Sequence, residues 1–336
     1  MKKLLTAERL SFLFRLLVIG CQAVTILLTW ELWQNRTMPP LLPALPLPPV
    51  DMAVLLLLSL VVVIVRPRVG LIAHSLLLAY AMLTDQTRLQ PEFISMAILM
   101  WGTLNNPTAK TITRTHLIAM WTWAGVNKLL SPVFIASTGP AMMRPLLGFM
   151  PEWFIGSGGW IIALTEITLG VLFLIPRTRR PAAVLAFALH TGILLTLTVG
   201  LRYNSAVWGW NVALAFAGFY YGWNWRESPL AVMRAARPLI IGVILFMVIS
   251  PIGFYVGIFD AYLSYNLYSS NTADANARIS PDMTMPALNV PFPPEHRLFE
   301  QFFQTTCAPG DLMTIQDSRP YFAARNLNER VISCDG

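Results

Sequence analysis

Apolar residues in this chain come in blocks of membrane-spanning length, and that pattern removes most soluble folds from consideration. Nine such runs fall at about 11–31, 51–66, 69–85, 91–105, 114–131, 157–176, 182–201, 206–222 and 238–258. A helix needs roughly 17–25 apolar residues to cross a hydrocarbon core. In lipid, only helices and closed barrels satisfy every backbone N–H and C=O internally. Composition agrees, with 12% charged residues among 336, where a soluble globule carries about 25%. The expected fold is an all-α polytopic membrane domain over residues 1–259, followed by a small tail over 260–336. The third and fourth runs are short and have polar ends. The proline-rich stretch Pro39–Pro49 separates the first two runs, because proline cannot donate backbone hydrogen bonds.

Charge asymmetry sets an orientation. With the N-terminus inside, the inner segments hold Lys2, Lys3, Arg9, Arg66, Arg68, Lys110, Arg114, Arg177, Arg179, Arg180, Arg226, Arg234 and Arg237, and the outer ones hold Arg36, Arg88, Arg144 and Arg202. Thirteen against four is a positive-inside pattern, and an odd number of spans then puts the tail outside a cytoplasmic (inner) membrane. The net charge of +7 therefore reflects basic inner loops. No basic stripe with interleaved aromatics points to nucleic acid. Leu10 to Trp30 lacks a small-residue cleavage site and reads as a first span that also directs insertion.

Cys307 and Cys334 both fall in the tail, where oxidation is permitted, and are expected to form a disulfide; Cys21 lies in the first span as a packing residue. The segment 131–157 is rich in Met, Phe, Leu and Trp but broken by Gly and Pro. It is expected to lie in the interface or re-enter the membrane, roofing the helices beneath it. Pro291–Pro294 followed by Glu295–Phe303 reads as a turn into a short amphipathic helix. No set of side chains has the spacing of a metal site.

Ionisable groups inside the membrane are rare and bias toward function. Arg15 can snorkel, His116 and Glu92 sit near span ends, and His74 reads as a neutral histidine bonded to a carbonyl. Glu166 and His190 lie near the middle of the sixth and seventh runs, joined by the short turn Pro176–Pro181, so they are expected to meet at one depth. Two readings stand: a polar clasp fixing helix register, or a proton-handling site. Lys128 lies about seven residues beyond the middle of its run, roughly 10 Å toward the outer face. It can snorkel outward or serve as a base. Tyr203, Asn204, Trp208, Trp210 and Asn211 form an outer-end cluster, read either as an aromatic belt or as a flat wall for a ring such as a quinone.

The run AGVNKL (Ala124–Leu129), the outer interfacial segment, an acid-bearing span and a histidine-bearing span together resemble the vitamin K-dependent gamma-carboxylases and their bacterial relatives, the horizontally transferred transmembrane (HTTM) family, over roughly residues 8–225. The tail is similar to those of DoxX-like redox-associated membrane proteins. The resemblance implies that Lys128 is a catalytic base, with Asn127 standing where the family has a first lysine. Its acid, histidine and early arginine fall on Glu166, His190 and Arg15. It also implies oxidation of a reduced quinone by oxygen to give a strong base, which deprotonates a carbon acid for carboxylation.

The expectation is thus an HTTM-like membrane protein that binds a quinone or other lipid-soluble ring in an outer-leaflet cavity. Lys128, Glu166 and His190 would be catalytic there, and Trp123, Asn127, Tyr203, Trp208 and Asn211 would bind ligand. The alternative is a non-catalytic subunit or assembly factor packed in a larger membrane complex. Its partners would be lipids and other subunits. An enzyme needs the three ionisable groups to converge on one cavity; a scaffold does not.

Overall fold

The computed structural model describes residues 7–223, 225–277, 288–317 and 319–334. The chain is predominantly helical. Its helices are α1 (Ala7–Leu28), α2 (Ala53–Val65), α3 (Pro67–Thr84), α4 (Pro91–Trp101), α5 (Pro107–Leu129), α6 (Gly139–Leu147), α7 (Glu152–Gly156), α8 (Gly158–Leu174), α9 (Arg179–Leu195), α10 (Trp208–Gly222), α11 (Pro229–Ala235), α12 (Pro238–Ile249), α13 (His296–Thr306) and α14 (Pro320–Ala323). Six of them, α3, α4, α5, α11, α12 and α14, open on a proline. Proline is suited to that position because its fixed φ is helical and its missing N–H would have no partner there. Asn106 caps α5 by accepting from the N–H groups of Thr108 and Ala109.

Every apolar run contains a helix. By length and composition, four helical stretches can cross a membrane: Ala7–Leu28, Pro67–Thr84, Arg179–Gly200 and Pro238–Val256. The others fall short of that measure for separate reasons. α4 has 11 residues, about 16 Å of helix, while α5 has 23 residues but carries Lys110, Arg114 and Lys128. Whole faces of the bundle are apolar and exposed, including Val54, Leu58, Val61 and Val65 of α2 and Leu245, Phe246 and Ile249 of α12. None of the residues of α12 is buried. Continuous apolar faces of this size belong in lipid, so the protein is an integral, multi-pass membrane protein.

Inside the bundle, α5 packs along α8, α9 along α10, α2 against α3, and α1 against α10. Small residues permit the closest of these approaches. His74 joins the first three helices. Its Nδ1 lies 2.7 Å from Ser59 Oγ and its Nε2 lies 2.8 Å from Gln22 Nε2. Its partners are side chains from neighbouring helices, where a carbonyl was expected. Ser59 gives its own proton to Leu56 O, so Oγ is left to accept from the ring.

The tail has more regular structure than its sequence suggests. Strands β1 (Asp274–Ala277), β2 (Leu312–Gln316) and β3 (Glu329–Ser333) form an antiparallel sheet in the order β1-β2-β3, with Ala275 opposite Ile315 and Met313 opposite Ile332. The amphipathic α13 buries Leu298, Phe299 and Phe303. Cys307 and Cys334 are disulfide-bonded and tie the end of α13 to the end of β3. The tail is stitched to the helical bundle by polar bonds: Asn127 Nδ2 donates to Ser264 O, Gln90 Nε2 to Pro291 O and Asn289 Nδ2 to Leu28 O.

Two tail acids make this packing pH-dependent. Burial, and then the Asp260 charge, push the Glu295 carboxyl from its ordinary 4.5 up to about 7, against the opposing effects of the Ala261 N–H and of Arg297 and Arg319. Burial also acts upward on Asp317, but hydrogen bonds from His296 and Arg319 outweigh it and hold that carboxyl below its ordinary range. A raised acid stabilises the fold most below its unfolded pKa and loses that contribution as pH rises through the folded value. The tail should therefore be more resistant to proteolysis at pH 5 than at pH 8, by on the order of 2–3 kcal/mol of local stability. Glu295→Gln should flatten that slope. Asp317 works in the opposite direction, but only below about pH 4. Limited proteolysis of wild type and Glu295→Gln across this range checks both statements; equal cleavage at pH 5 and 8 in wild type contradicts them.

Candidate functional site

The site begins with a close helix crossing. A Cβ added to Gly125 of α5 would lie 2.5 Å from Ala163 O and 2.8 Å from Ile167 N, both backbone atoms of α8. Four residues after Glu166, Gly170 lies against Thr122 and Ile118 of α5 in the same way. Two glycines thus bring the backbones of α5 and α8 together. Lys128 is one turn past Gly125 and Glu166 one turn past Ala163, so the two side chains meet across the seam. Lys128 Nζ lies 2.8 and 3.1 Å from the two Glu166 carboxylate oxygens and 3.4 Å from Ala124 O, with the Phe134 ring centroid 5.7 Å away. Both residues are buried. The ammonium turns inward to its acid and does not snorkel to the outer surface.

His190 is reached by a different route. Trp121 Nε1, which can only donate, points to His190 Nε2 at 2.9 Å, so that nitrogen must be the acceptor. The ring proton therefore sits on Nδ1, which donates to Asn211 Oδ1 at 3.0 Å, while Asn211 Nδ2 donates to Val207 O. The imidazole is neutral and both its nitrogens are engaged. Glu166 and His190, expected as partners from the short α8–α9 turn, do not pair: the acid takes Lys128 and the histidine takes Trp121 and Asn211. The turn makes the two helices consecutive in the chain, but α8 packs mainly on α5 and α9 on α10.

That divergence leaves a cavity of about 380 Å³ between α8 and α9. Lys128, Glu166 and His190 all line it, together with Asn211 and Trp210. Apart from Thr165, Thr196 and Tyr268, the rest of its wall is apolar. Met142, Met143 and Leu146 of α6 come from the interfacial segment, and Leu189 and Ile193 come from α9. Ala188, on the same wall, is exposed on the outside of the bundle, and Gly192 has no atom within 4 Å of a Cβ added to it. The cavity therefore opens sideways toward lipid. Past Leu195, α9 continues as a wide π turn, Thr196–Gly200, whose first residue lines the cavity. Such turns recur where helices are adapted to hold ligands.

The remaining candidates sit elsewhere. Asn127 faces the tail, donating to Ser264 O and accepting from Tyr255 Oη at 2.6 Å. Trp123 Nε1 donates to Val248 O and holds α12. Trp208 Nε1 donates to Tyr203 O, and Tyr203 borders a second, smaller cavity under the tail. Arg15 borders a basic recess with Arg66, Arg68 and Lys110. Sequence reasoning passed over Trp121 and Met143 as site residues. Trp121, Ala124 and Lys128 share one face of α5 at spacings of three, four and seven, and that periodicity was the available signal. Trp210 stood in the aromatic cluster without being singled out. Its indole N–H is buried and has no acceptor among the described residues.

No curated protein and no solved structure matches the chain. The likeness to the HTTM family, the vitamin K-dependent carboxylases and the DoxX-like proteins is overturned by the family model that does match. It rested on a six-residue run and on the order of one lysine, one acid and one histidine. A buried lysine in a helical membrane protein is commonly paired with an acid, so that order arises without kinship. A different family fits the region instead. Residues 106–208, 103 of 336, match the family model described as methylamine utilisation protein MauE, a stretch that runs from the cap of α5 to the first residue of α10 and includes most of the cavity wall, though not Trp210 or Asn211.

Proposed function

We propose that the protein takes up a flat, lipid-soluble ring, a quinone being the best chemical fit, from the outer leaflet into the cavity between α8 and α9. In this reading the nine apolar segments cross the cytoplasmic membrane with the N-terminus inside, and residues 260–336 form a separate unit on the outer face. The disulfide supports that placement, because structural disulfides persist in oxidising compartments. The observation that supports the binding proposal is the lining: a lipid-facing, mostly apolar cavity with Lys128, Glu166, His190 and Asn211 on one polar wall, bordered by Trp210, whose indole N–H has no acceptor among the described residues. A ring carbonyl supplies such an acceptor, and leaving a buried donor unpaired costs about 1–3 kcal/mol. The Lys128–Glu166 pair and His190 would then move protons to and from the ring oxygens.

The MauE match supports a second reading, in which the protein is a subunit of a membrane-associated methylamine utilisation system. The large exposed apolar surface of α12, none of whose residues is buried, is compatible with it.

The test is mass spectrometry of organic extracts from protein purified in mild detergent, comparing wild type with Gly192→Phe. The glycine lines the cavity with open space beyond it, so phenylalanine fills the cavity and leaves the polar set in place. Stoichiometric quinone in wild type, lost in the variant at unchanged thermal stability, is the expected result. Absence of any quinone from wild type defeats the ring reading and leaves the subunit.

A further inference from the structure

Glu92 opens α4 and, read from sequence, is a first-turn acid at the surface. In the structure it is 1% exposed, and its Oε1 has no hydrogen-bond partner among the described residues. It lines a second cavity of about 200 Å³, enclosed where the tail meets the bundle. Asn204 contributes a further buried oxygen, Oδ1, that lacks a donor, while its Nδ2 is taken by the Tyr268 hydroxyl. The other walls are aromatic: Tyr203, Trp210, Tyr262, Tyr268 and Phe292. The Tyr262 and Tyr268 rings share this cavity with the acid, and their hydroxyls are raised well above the ordinary tyrosine range first by burial and next by the Glu92 charge. Exposed Tyr203 and Ser270 stand at the rim, giving access from the tail side.

This arrangement has a defined chemistry. Glu92 Oε1 and Asn204 Oδ1 are acceptors without donors among the described residues, and they call for a donor or a cation, while the unpartnered Trp210 N–H is shared with the larger cavity. A buried carboxylate without a counter-charge calls for positive charge. Aromatic faces attract cations, more strongly when the site is desolvated, and rings around a charge suit alkylated ammonium better than a hydrated metal ion. The volume lies below that of drug-sized sites, which limits the ligand to a few heavy atoms. We infer that the Glu92 cavity is a binding site for a small organic ammonium ion, entering from the tail side, with Glu92 as counter-ion, Asn204 as hydrogen-bond acceptor and the tyrosine–tryptophan walls as the cage. Trp210, Leu267 and Tyr268 border both this cavity and the larger one, but the inference does not depend on what the larger cavity holds.

The experiment is calorimetric titration of the full-length protein in detergent with methylammonium and tetramethylammonium. The same protein is titrated with the neutral counterparts methanol and neopentyl alcohol. Glu92→Gln keeps the shape of the acid and removes its charge; Tyr203→Ala removes an exposed cage wall and leaves the packing beneath it. At least one cation should bind wild type, at least about tenfold more tightly than its neutral counterpart. Glu92→Gln should lose about tenfold or more in affinity and Tyr203→Ala severalfold, as expected for a lost charge pair and a lost cation–π face. Wild type that binds neither cation in the millimolar range overturns the inference. So does cation binding that both variants retain unchanged.

Discussion

Replacing Lys128 by methionine should lower the unfolding free energy by about 3–5 kcal/mol, whereas replacing Lys128 and Glu166 together by methionine and glutamine should restore most of it. The reason is the burial of both partners. Lys128 and Glu166 are 4% and 6% exposed and hold each other at 2.8 Å in a largely apolar surround. Removing the lysine leaves a carboxylate with no counter-charge, which must either stay ionised in low dielectric or take up a proton. Removing both charges eliminates that cost, and apolar or neutral replacements of a buried pair are often tolerated. A double-mutant cycle by thermal unfolding in detergent measures the coupling. A snorkelling lysine would give a near-zero single-variant effect and no coupling. Additive losses would mean that the two side chains do not share one buried environment.

Depth along a helix was legible in the sequence; rotation about its axis was not. The position of Lys128 in its apolar run fixed its height, but outward snorkelling and inward pairing both satisfy that height. What decides between them is the crossing at Gly125 and Gly170, which brings Glu166 within reach. Likewise the short turn after α8 correctly placed Glu166 and His190 on consecutive helices, yet consecutive helices need not pack closely along their length. Here they splay, and the splay makes the cavity. The strands of the tail escaped notice because they have four or five residues each, and Glu329–Ser333 does not alternate in burial. The cysteine pair was readable because both residues lie in one segment beyond the last apolar run. Glu92 was misjudged for a related reason: a first-turn acid reads as solvent-facing until the tail, more than 150 residues later in the chain, is seen to cover it.

If the glycine crossing sets the site, then Gly125→Leu should be among the most damaging single changes in the bundle, lowering stability by about 3 kcal/mol or more, at the upper end of overpacking effects. The added Cβ alone meets Ala163 O and Ile167 N, and these belong to the α8 backbone, which cannot rotate aside as a flexible side chain can. Relief requires α5 and α8 to separate, and the Lys128–Glu166 contact at 2.8 Å lies one turn away, so separation stretches it first. Gly125→Ala should cost less, about 1–3 kcal/mol, partly offset by up to about 1 kcal/mol of better helix propensity. Gly192→Ala serves as the control: its Cβ meets nothing, so the propensity gain is unopposed and stability should hold or rise. The decisive measurement combines both predictions. In a Gly125→Leu background the cost of Lys128→Met should shrink well below its wild-type value, because the pair is already pulled apart. An undiminished cost would mean that the ion pair forms independently of the helix crossing, and that some other contact holds Lys128 against Glu166.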